Sequence, residues 1–454
     1  MNGKILALLA VGAIVVAGCA VPFLLKDSKQ GAPIEMELQI YGNANGDWKI
    51  DSNDADYLRG IMSGEKSVTK YADANRDGVI DQKDIDQVNA LADNSAEYIW
   101  LVDGYGRDIK VNRDIKRVAC EMFGNIEMML ILGLKDKIVA VDKPAYELVN
   151  FYFGSDASRI VNLGPMPSPN FEFLEEQNLD VLLTFNWTSL EVKTEKLPDV
   201  DVIYLGMYAP NAVEPENSTY VQGVLKAGYI FGVEKRAEEY IRWYLDTRNK
   251  IVDVTSQIPD SEKKRVLMTG VNQFRSGAAP TTNWTVATSI DAMGQACILA
   301  GGYSIGKDVL TPEMYAGGPT KSTWSVGVNP EKIAVTKIDY VFSMPSRISY
   351  SGSVNTEAPL SGYTVTDPTT MKAFQELAQS HELIEDAKVY IFDQNFREAG
   401  TGALLLAAYM AKVLYPDKFK NMDPLDIHNE YVAFMGIKNF DAHKDCLFMY
   451  PVPN

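Results

Sequence analysis

The hydrophobic pattern changes character along the chain. An unbroken apolar run, Ile5 to Leu25, follows Lys4 and is about long enough to span a bilayer. Two short helix-like stretches follow, "ADYLRGIMS" and "IDQVNALAD", each preceded by a polar loop. From Tyr98 onward, short apolar runs alternate with helical stretches. The strand candidates are "RVAC", "KIVAV", "DVLLTF", "DVIYLG", "RVLMTG", "DYVFSM" and "KVYIFD". Alternation of this kind predicts α/β layers with largely parallel sheets. In "VEKRAEEYIRWYLDTRNKIVDVTSQI", residues Ala237, Tyr240, Ile241, Tyr244, Leu245, Ile251 and Val252 recur at helical spacing. One long helix there divides the α/β region into halves. A repeat supports the division. "NFEFLEEQNLDVLLTF" from Asn170 and "NPEKIAVTKIDYVFSM" from Asn329 coincide without a gap at Asn170/Asn329, Glu172/Glu331, Leu174/Ile333 and Asp180/Asp339.

These patterns divide the chain into an anchor (1–25), a linker (26–35), a small all-α unit (36–95), a first lobe (96–233), a bridging helix (234–258) and a second lobe (259–454). Within the apolar run, "VAGC" resembles a lipoprotein processing site with Cys19 as the lipidated residue. The anchor is either that lipid or the run itself as a helix. Both place the remainder outside the cytoplasm, anchored to the outer face of the cytoplasmic membrane. A net charge of −17 argues against nucleic acid as a partner. The four cysteines lack a CxxC pair, and the three histidines all lie late, which argues against a histidine-rich metal cage.

The two polar loops carry the sharpest chemistry. "NANGDWKIDSND" (Asn43–Asp54) and "DANRDGVIDQKD" (Asp73–Asp84) repeat at an interval of 30 residues. Each sets oxygen-bearing side chains at positions 1, 3, 5, 9 and 12, the spacing of an EF-hand-like calcium loop. The expected ligands are Asp73, Asn75, Asp77, Asp81 and Asp84 with the Val79 carbonyl, and Asn43, Asn45, Asp47, Asp51 and Asp54 with the Lys49 carbonyl. Gly78 suits the sharp turn at position 6, where the first loop has Trp48. A tryptophan at a positive φ would be strained, so the first site is expected to be the weaker. The paired repeats, with Asp at position 12, resemble a dockerin module. That resemblance implies structural Ca²⁺, and a cohesin partner facing Ser52, Asn53, Gln82 and Lys83.

The larger region resembles the substrate-binding proteins of iron-siderophore and cobalamin ABC importers. The resemblance rests on "DGYGRDIKVNRDIKRVACEMFGNIEMMLILGLKDKIVAVD", "NFEFLEEQNLDVLL", the bridging helix, "LAGGYSIGKD", "NPEKIAVTKIDYVF" and "LLLAAYMAKVLYPDKFKNMDPLDIHNEYV", in that order. It implies two Rossmann-like lobes joined by a helix, a ligand in the cleft, and Glu172 and Glu331 as the residues that dock onto the permease.

Strand ends point to the cleft residues. In the first lobe they are Met122, Phe123, Asn186, Trp187 and Tyr208; in the second, Asn272, Arg275, Trp284, Arg347, Tyr350, Asn395 and Arg397. Three arginines beside aromatics suit an anionic ferric chelate, bound through charge-assisted hydrogen bonds. No nucleophile elbow, HExxH, P-loop or dinucleotide fingerprint occurs, so a binding protein is expected and not an enzyme. The cargo stays open among ferric siderophore, haem, corrinoid and other metal complexes. The alternative is a cohesin-recruited surface-assembly protein whose lobes serve another ligand.

Overall fold

The computed structural model describes residues 33–166, 169–185, 188–208, 210–270, 274, 283–345 and 362–453. Cys19 and the run Ile5–Leu25 lie outside the described residues, as do Asn186, Trp187, Asn272, Arg275, Arg347 and Tyr350. No helix among the described residues is long and apolar enough to cross a membrane.

Two helices come first, α1 (Ser52–Met62) and α2 (Gln82–Ala92). Both begin where an aspartate closes the first turn. Asp51 and Asp81 are N-caps, and Asp54 and Asp84 return a hydrogen bond to the cap backbone. Such reciprocal capping satisfies N–H groups that a helix start leaves unpaired. An antiparallel hairpin follows, β1 (Tyr98–Val102) and β2 (Asp108–Asn112).

The first lobe is a parallel sheet of β3 (Val118–Cys120), β4 (Ile138–Val141), β5 (Val161–Asn162), β6 (Val181–Leu183) and β7 (Asp201–Ile203), in the order β5-β4-β3-β6-β7. The helix α3 (Phe123–Ile131) leaves the end of β3. After α4 (Thr219–Phe231) the chain turns at Gly232 in a left-handed conformation and enters α5 (Glu234–Thr255), the expected bridging helix. Its buried stripe is Ala237, Tyr240, Ile241, Tyr244, Leu245, Thr247, Ile251 and Thr255. Its outer face carries the ion pairs Arg236–Glu239 and Arg242–Glu238, one helical turn apart.

The second lobe contains β8 (Arg265–Gly270), β9 (Trp284–Ala287), β10 (Tyr303–Ser304), β11 (Ser325–Val328), β12 (Tyr340–Met344), β13 (Lys388–Phe392) and β14 (Met449–Tyr450). The main sheet runs β10-β8-β12-β13-β14, with β14 antiparallel, and β9 pairs with β11 apart from it. Each strand expected from "RVAC" through "KVYIFD" is present. The α/β architecture with parallel sheets is therefore the observed one.

The internal repeat is physical. In each lobe the repeated segment is a short helix, Phe171–Glu176 or Pro330–Ala334, leading to a strand beside the lobe's first strand. Asn170 and Asn329 cap these helices, and Leu174 and Ile333 are buried. Asp180 and Asp339 then do the same work. The Asp180 carboxylate accepts the Arg117 N–H at 2.7 Å, and its own N–H donates to the Arg117 carbonyl. Asp339 treats Arg265 alike, at 2.8 Å.

One continuous apolar core runs from Ile34 through both lobes to Met449. It includes Leu38, Ile50, Leu58, Ile85 and Val88 from the residues around α1 and α2. A second core, within the second lobe, includes Leu267, Phe274, Trp284, Val341 and Ile391.

Candidate functional site

Open α/β sheets bind ligands beyond their strand ends, where the strand order reverses. In the first lobe that point lies between β3 and β6. Met122 follows β3 with φ 70° and ψ 148°, a conformation that costs a non-glycine residue about 1–3 kcal/mol. Its N–H donates to the Asp142 carboxylate at 3.2 Å. Burial, helped by the neighbouring Glu121 charge, pushes the Asp142 carboxyl up to about 7.

Around Met122 lie Met166, Phe185, Leu190, Tyr204 and Tyr208, with Trp324 from the second lobe packed against them. The rings form a chain. Centroids are 6.2 Å apart for Tyr105–Tyr204, 6.0 Å for Tyr204–Phe185, 5.5 Å for Phe185–Tyr208 and 5.1 Å for Tyr208–Trp324. Most are tilted or edge-on pairs, the arrangement aromatic quadrupoles favour. Tyr208 and Trp324 bring the chain of rings across to the second lobe.

Arg397 sits 5.8 Å from the Tyr208 ring, within cation–π range. Its Nε and Nη2 donate to the buried Asp291 carboxylate at 3.0 and 2.7 Å. Burial opposes the guanidinium charge, but Asp291 and Tyr208 outweigh it and hold the group above its ordinary range. This arginine is thus already engaged by an internal carboxylate. Beside it, Glu398 is buried with one carboxylate oxygen unpartnered. Burial, then the charges of Asp291 and Asp142, raises its pKa well above the usual carboxylate range.

Met122 and Tyr208 are therefore brought together as expected. Trp284 is not with them. It is 1 % exposed inside the core of the second lobe, with Phe274 and His381 edge-on at 5.2 and 5.0 Å. It opens β9, whose pairing with β11 turns the ring inward. Phe123 belongs to the main core. Asn395 is buried, and its N–H donates to Asp393 at 2.8 Å. The residues missed were Phe185, Tyr204, Trp324 and Asp291. Phe185 and Tyr204 lie directly beyond β6 and β7, so the strand-end rule could have found them. Trp324 lies ahead of β11 and carried no such signal.

Glu172 and Glu331 are exposed in the first turns of their helices. Each helix runs into a strand adjoining the first strand of its lobe's sheet, so the two glutamates occupy equivalent places.

The two loops share a set of hydrogen bonds. The Asp54 carboxylate accepts the N–H groups of Asn45 at 3.1 Å and Asp51 at 2.9 Å; Asp84 accepts those of Asn75 at 3.2 Å and Asp81 at 2.8 Å. Asn45 and Asn75 accept from Asp47 and Asp77, which in turn accept from Lys49 and Val79. At position 1 of each loop, Asn43 Oδ1 and Asp73 Oδ1 are buried without a hydrogen-bond partner. Burial raises the Asp54 carboxyl to about 6 and shifts Asp84 upward. Crowded, desolvated oxygens of this kind fit a hard cation. Lysines partly neutralise them: Lys49 pairs with Asp51, and Lys83 lies 3.2 Å from Asp77 and 3.9 Å from Asp81.

The strain expected at Trp48 is not there. The first loop takes its positive φ at Gly46, 76°, two residues earlier. In the second loop, Gly78 has φ 89°, and the only non-glycine strain falls on Arg76, at 61°. The predicted weakness of the first site therefore loses its stated cause.

No protein-family model matches the chain, nor does any curated protein sequence. Solved structures do. The chain superposes on FepB of Veillonella parvula, described as a TroA-like periplasmic binding protein, with a TM-score of 0.57 and 18 % identity. The match covers 78 % of this chain and 99 % of that one. The fold is TroA-like. Two further matches are the molybdate-bound MolA of Haemophilus influenzae (TM-score 0.55, 14 % identity, 77 % of this chain and 99 % of that one) and CeuE of Helicobacter pylori in a nickel–histidine complex (0.54, 14 %, 76 % and 97 %). The TroA-like region leaves over a share about the size of the segment before β1.

Proposed function

We propose that this chain is the substrate-binding component of an ABC importer, anchored at the outer face of the cytoplasmic membrane, and that it captures a metal chelate. A ferric siderophore is the first cargo to test. The observation that carries this reading is the matched placement of Glu172 and Glu331, exposed on equivalent helices of two like lobes within a TroA-like fold. Two carboxylates so placed suit a rim contact with cationic permease residues that sets orientation. The aromatic chain ending at Trp324 supports an organic ligand face. The solved structures that bind molybdate and nickel–histidine favour a metal-containing cargo. The test is uptake of labelled chelate by cells carrying Glu172→Ala and Glu331→Ala together. Uptake should fall more than tenfold while chelate affinity of the purified protein stays unchanged. Normal uptake would refute the docking assignment.

The same reading assigns structural Ca²⁺ to both loops, held by Asn43, Asn45, Asp47, Asp51, Asp54 and the Lys49 carbonyl, and by Asp73, Asn75, Asp77, Asp81, Asp84 and the Val79 carbonyl. The unpartnered oxygens of Asn43 and Asp73 favour it. Ser52, Asn53, Gln82 and Lys83 are all exposed, which keeps a cohesin partner as the second reading. Capture of the purified chain by an immobilised cohesin, lost on chelation of calcium, would establish it.

A further inference from the structure

Each loop reaches away from its own ion-binding oxygens to a fixed partner in the transport region. In the first loop, the Ile50 N–H donates to the Tyr229 hydroxyl of α4 at 2.7 Å, and that hydroxyl lies 3.5 Å from the Ile50 carbonyl oxygen. Ile50 is residue 8 of the loop, between the Lys49 carbonyl and the Asp51 carboxylate. Trp48 extends under the Arg242 guanidinium of α5, 5.3 Å from the ring. In the second loop, the strained Arg76 donates to Asp108 of β2 at 2.9 Å. It also covers the Tyr41 ring at 4.4 Å. A non-glycine residue keeps such a backbone only where its surroundings hold it.

The segment leading into the first loop is tied to the same helix. Gln222 of α4 donates to the Glu37 carbonyl at 2.6 Å and accepts the Gln39 N–H at 3.3 Å. Lys226 donates to the Gln39 side chain at 2.9 Å. Ile50 and Tyr229 lie in one core cluster. This is a packed interface between segments nearly two hundred residues apart, not a tether.

We infer that the docking partner of the calcium module is the chain's own α4 and the start of α5, and that Ca²⁺ in the first loop locks the module onto the root of the bridging helix. The inference rests on the calcium assignment proposed above. Its reason is geometric. Ca²⁺ would fix the backbone on both sides of Ile50, presenting its N–H and carbonyl to Tyr229 without further ordering. Coupling between two sites is reciprocal. Tyr229 must therefore strengthen calcium binding by the factor with which calcium strengthens the dock. On this view Trp48 stands where glycine would fit because it serves the interface.

The test is hydrogen–deuterium exchange on the full chain, with and without millimolar CaCl₂, joined to calcorimetric calcium titration of the wild type and Tyr229→Phe. Calcium should slow exchange at least fivefold within 219–255 as well as within 36–95, and Tyr229→Phe should weaken one of two calcium sites about tenfold. Slowing confined to 36–95, or equal calcium affinities in the two proteins, would overturn the inference while leaving the calcium assignment intact. Absence of calcium binding by the wild type would remove both. The wild-type exchange data do not depend on how the variant folds.

Discussion

Lys226 offers a sharp quantitative test of the interface between the module and α4. It is a wholly buried lysine on a helix otherwise buried through apolar residues, tyrosines and Gln222. Its ammonium donates to Gln39 at 2.9 Å. Burial lowers its pKa from 10.5 to about 7, against a partial opposing pull from Asp103. A drop of that size corresponds to a folding penalty of about 4 kcal/mol at pH 7. Lys226→Met keeps the length of the side chain and removes the charge. Loss of the hydrogen bond to the half-buried Gln39 offsets about 1 kcal/mol of the gain. The variant should therefore be about 3 kcal/mol more stable at pH 7. The sign follows from the titration. Below about pH 7 the lysine is charged in both states and the full penalty applies. Between 7 and 10.5 it is charged only when unfolded, so the penalty fades as pH rises. Urea denaturation of both proteins at pH 7.0 and 9.5, at one ionic strength, measures the difference. Most of the gain should vanish at the higher pH. A variant less stable than wild type at pH 7, or a gain independent of pH, would refute the reasoning.

Asp291→Asn should destabilise the chain by about 2 kcal/mol, because it strands the partly buried Arg397 charge; chemical denaturation would detect it, and a loss under 1 kcal/mol would mean that Arg397 finds another partner. Burial lifts Glu127, Asp142 and Asp393 to about 7. Their stabilising contribution is complete below the ordinary carboxylate range and is lost as pH rises through about 7. The urea midpoint should accordingly fall between pH 5 and 7.5, with Glu127→Gln flattening the slope; a midpoint that rises over this range would contradict the burial argument. Trp324→Ala should weaken chelate binding about tenfold by calorimetry, the scale of one lost aromatic contact, and unchanged affinity would remove Trp324 from the ligand site.

The strands, the bridging helix and the lobe repeat were legible because each is local. A buried parallel strand is a short apolar run, and α5 writes its stripe at helical spacing. The repeated polar loops were legible for the same reason, since the residues that bond within each lie within twelve positions. Side-chain direction was not. Trp284 and Tyr208 both flank strands, but the pairing of β9 with β11 buries one in the core while the other meets Trp324. Nor could three exposed-looking arginines announce that one, Arg397, is engaged by Asp291 from a segment more than a hundred residues away. The interface of Ile50 with Tyr229 was equally silent. A tyrosine in α4 fits a buried helix whether or not its hydroxyl serves a distant loop.

The shared core from Ile34 into the lobes also bears on how this chain can be cut and on how it can change over generations. A version beginning at Tyr98 would not be a smaller, self-contained fold. It would lay bare the α4 face around Gln222, Lys226 and Tyr229. Moved to another host, residues 36–95 would carry Gln39, Trp48 and Ile50 as an orphaned patch. Substitutions at position 48 can then persist only in step with those at 242, whereas Tyr229 is held by the backbone of residue 50 and tolerates change in that side chain. Among descendants of a common ancestor 48 and 242 should drift together, 229 should stay a tyrosine, and recombination at the apparent domain boundary should be rare.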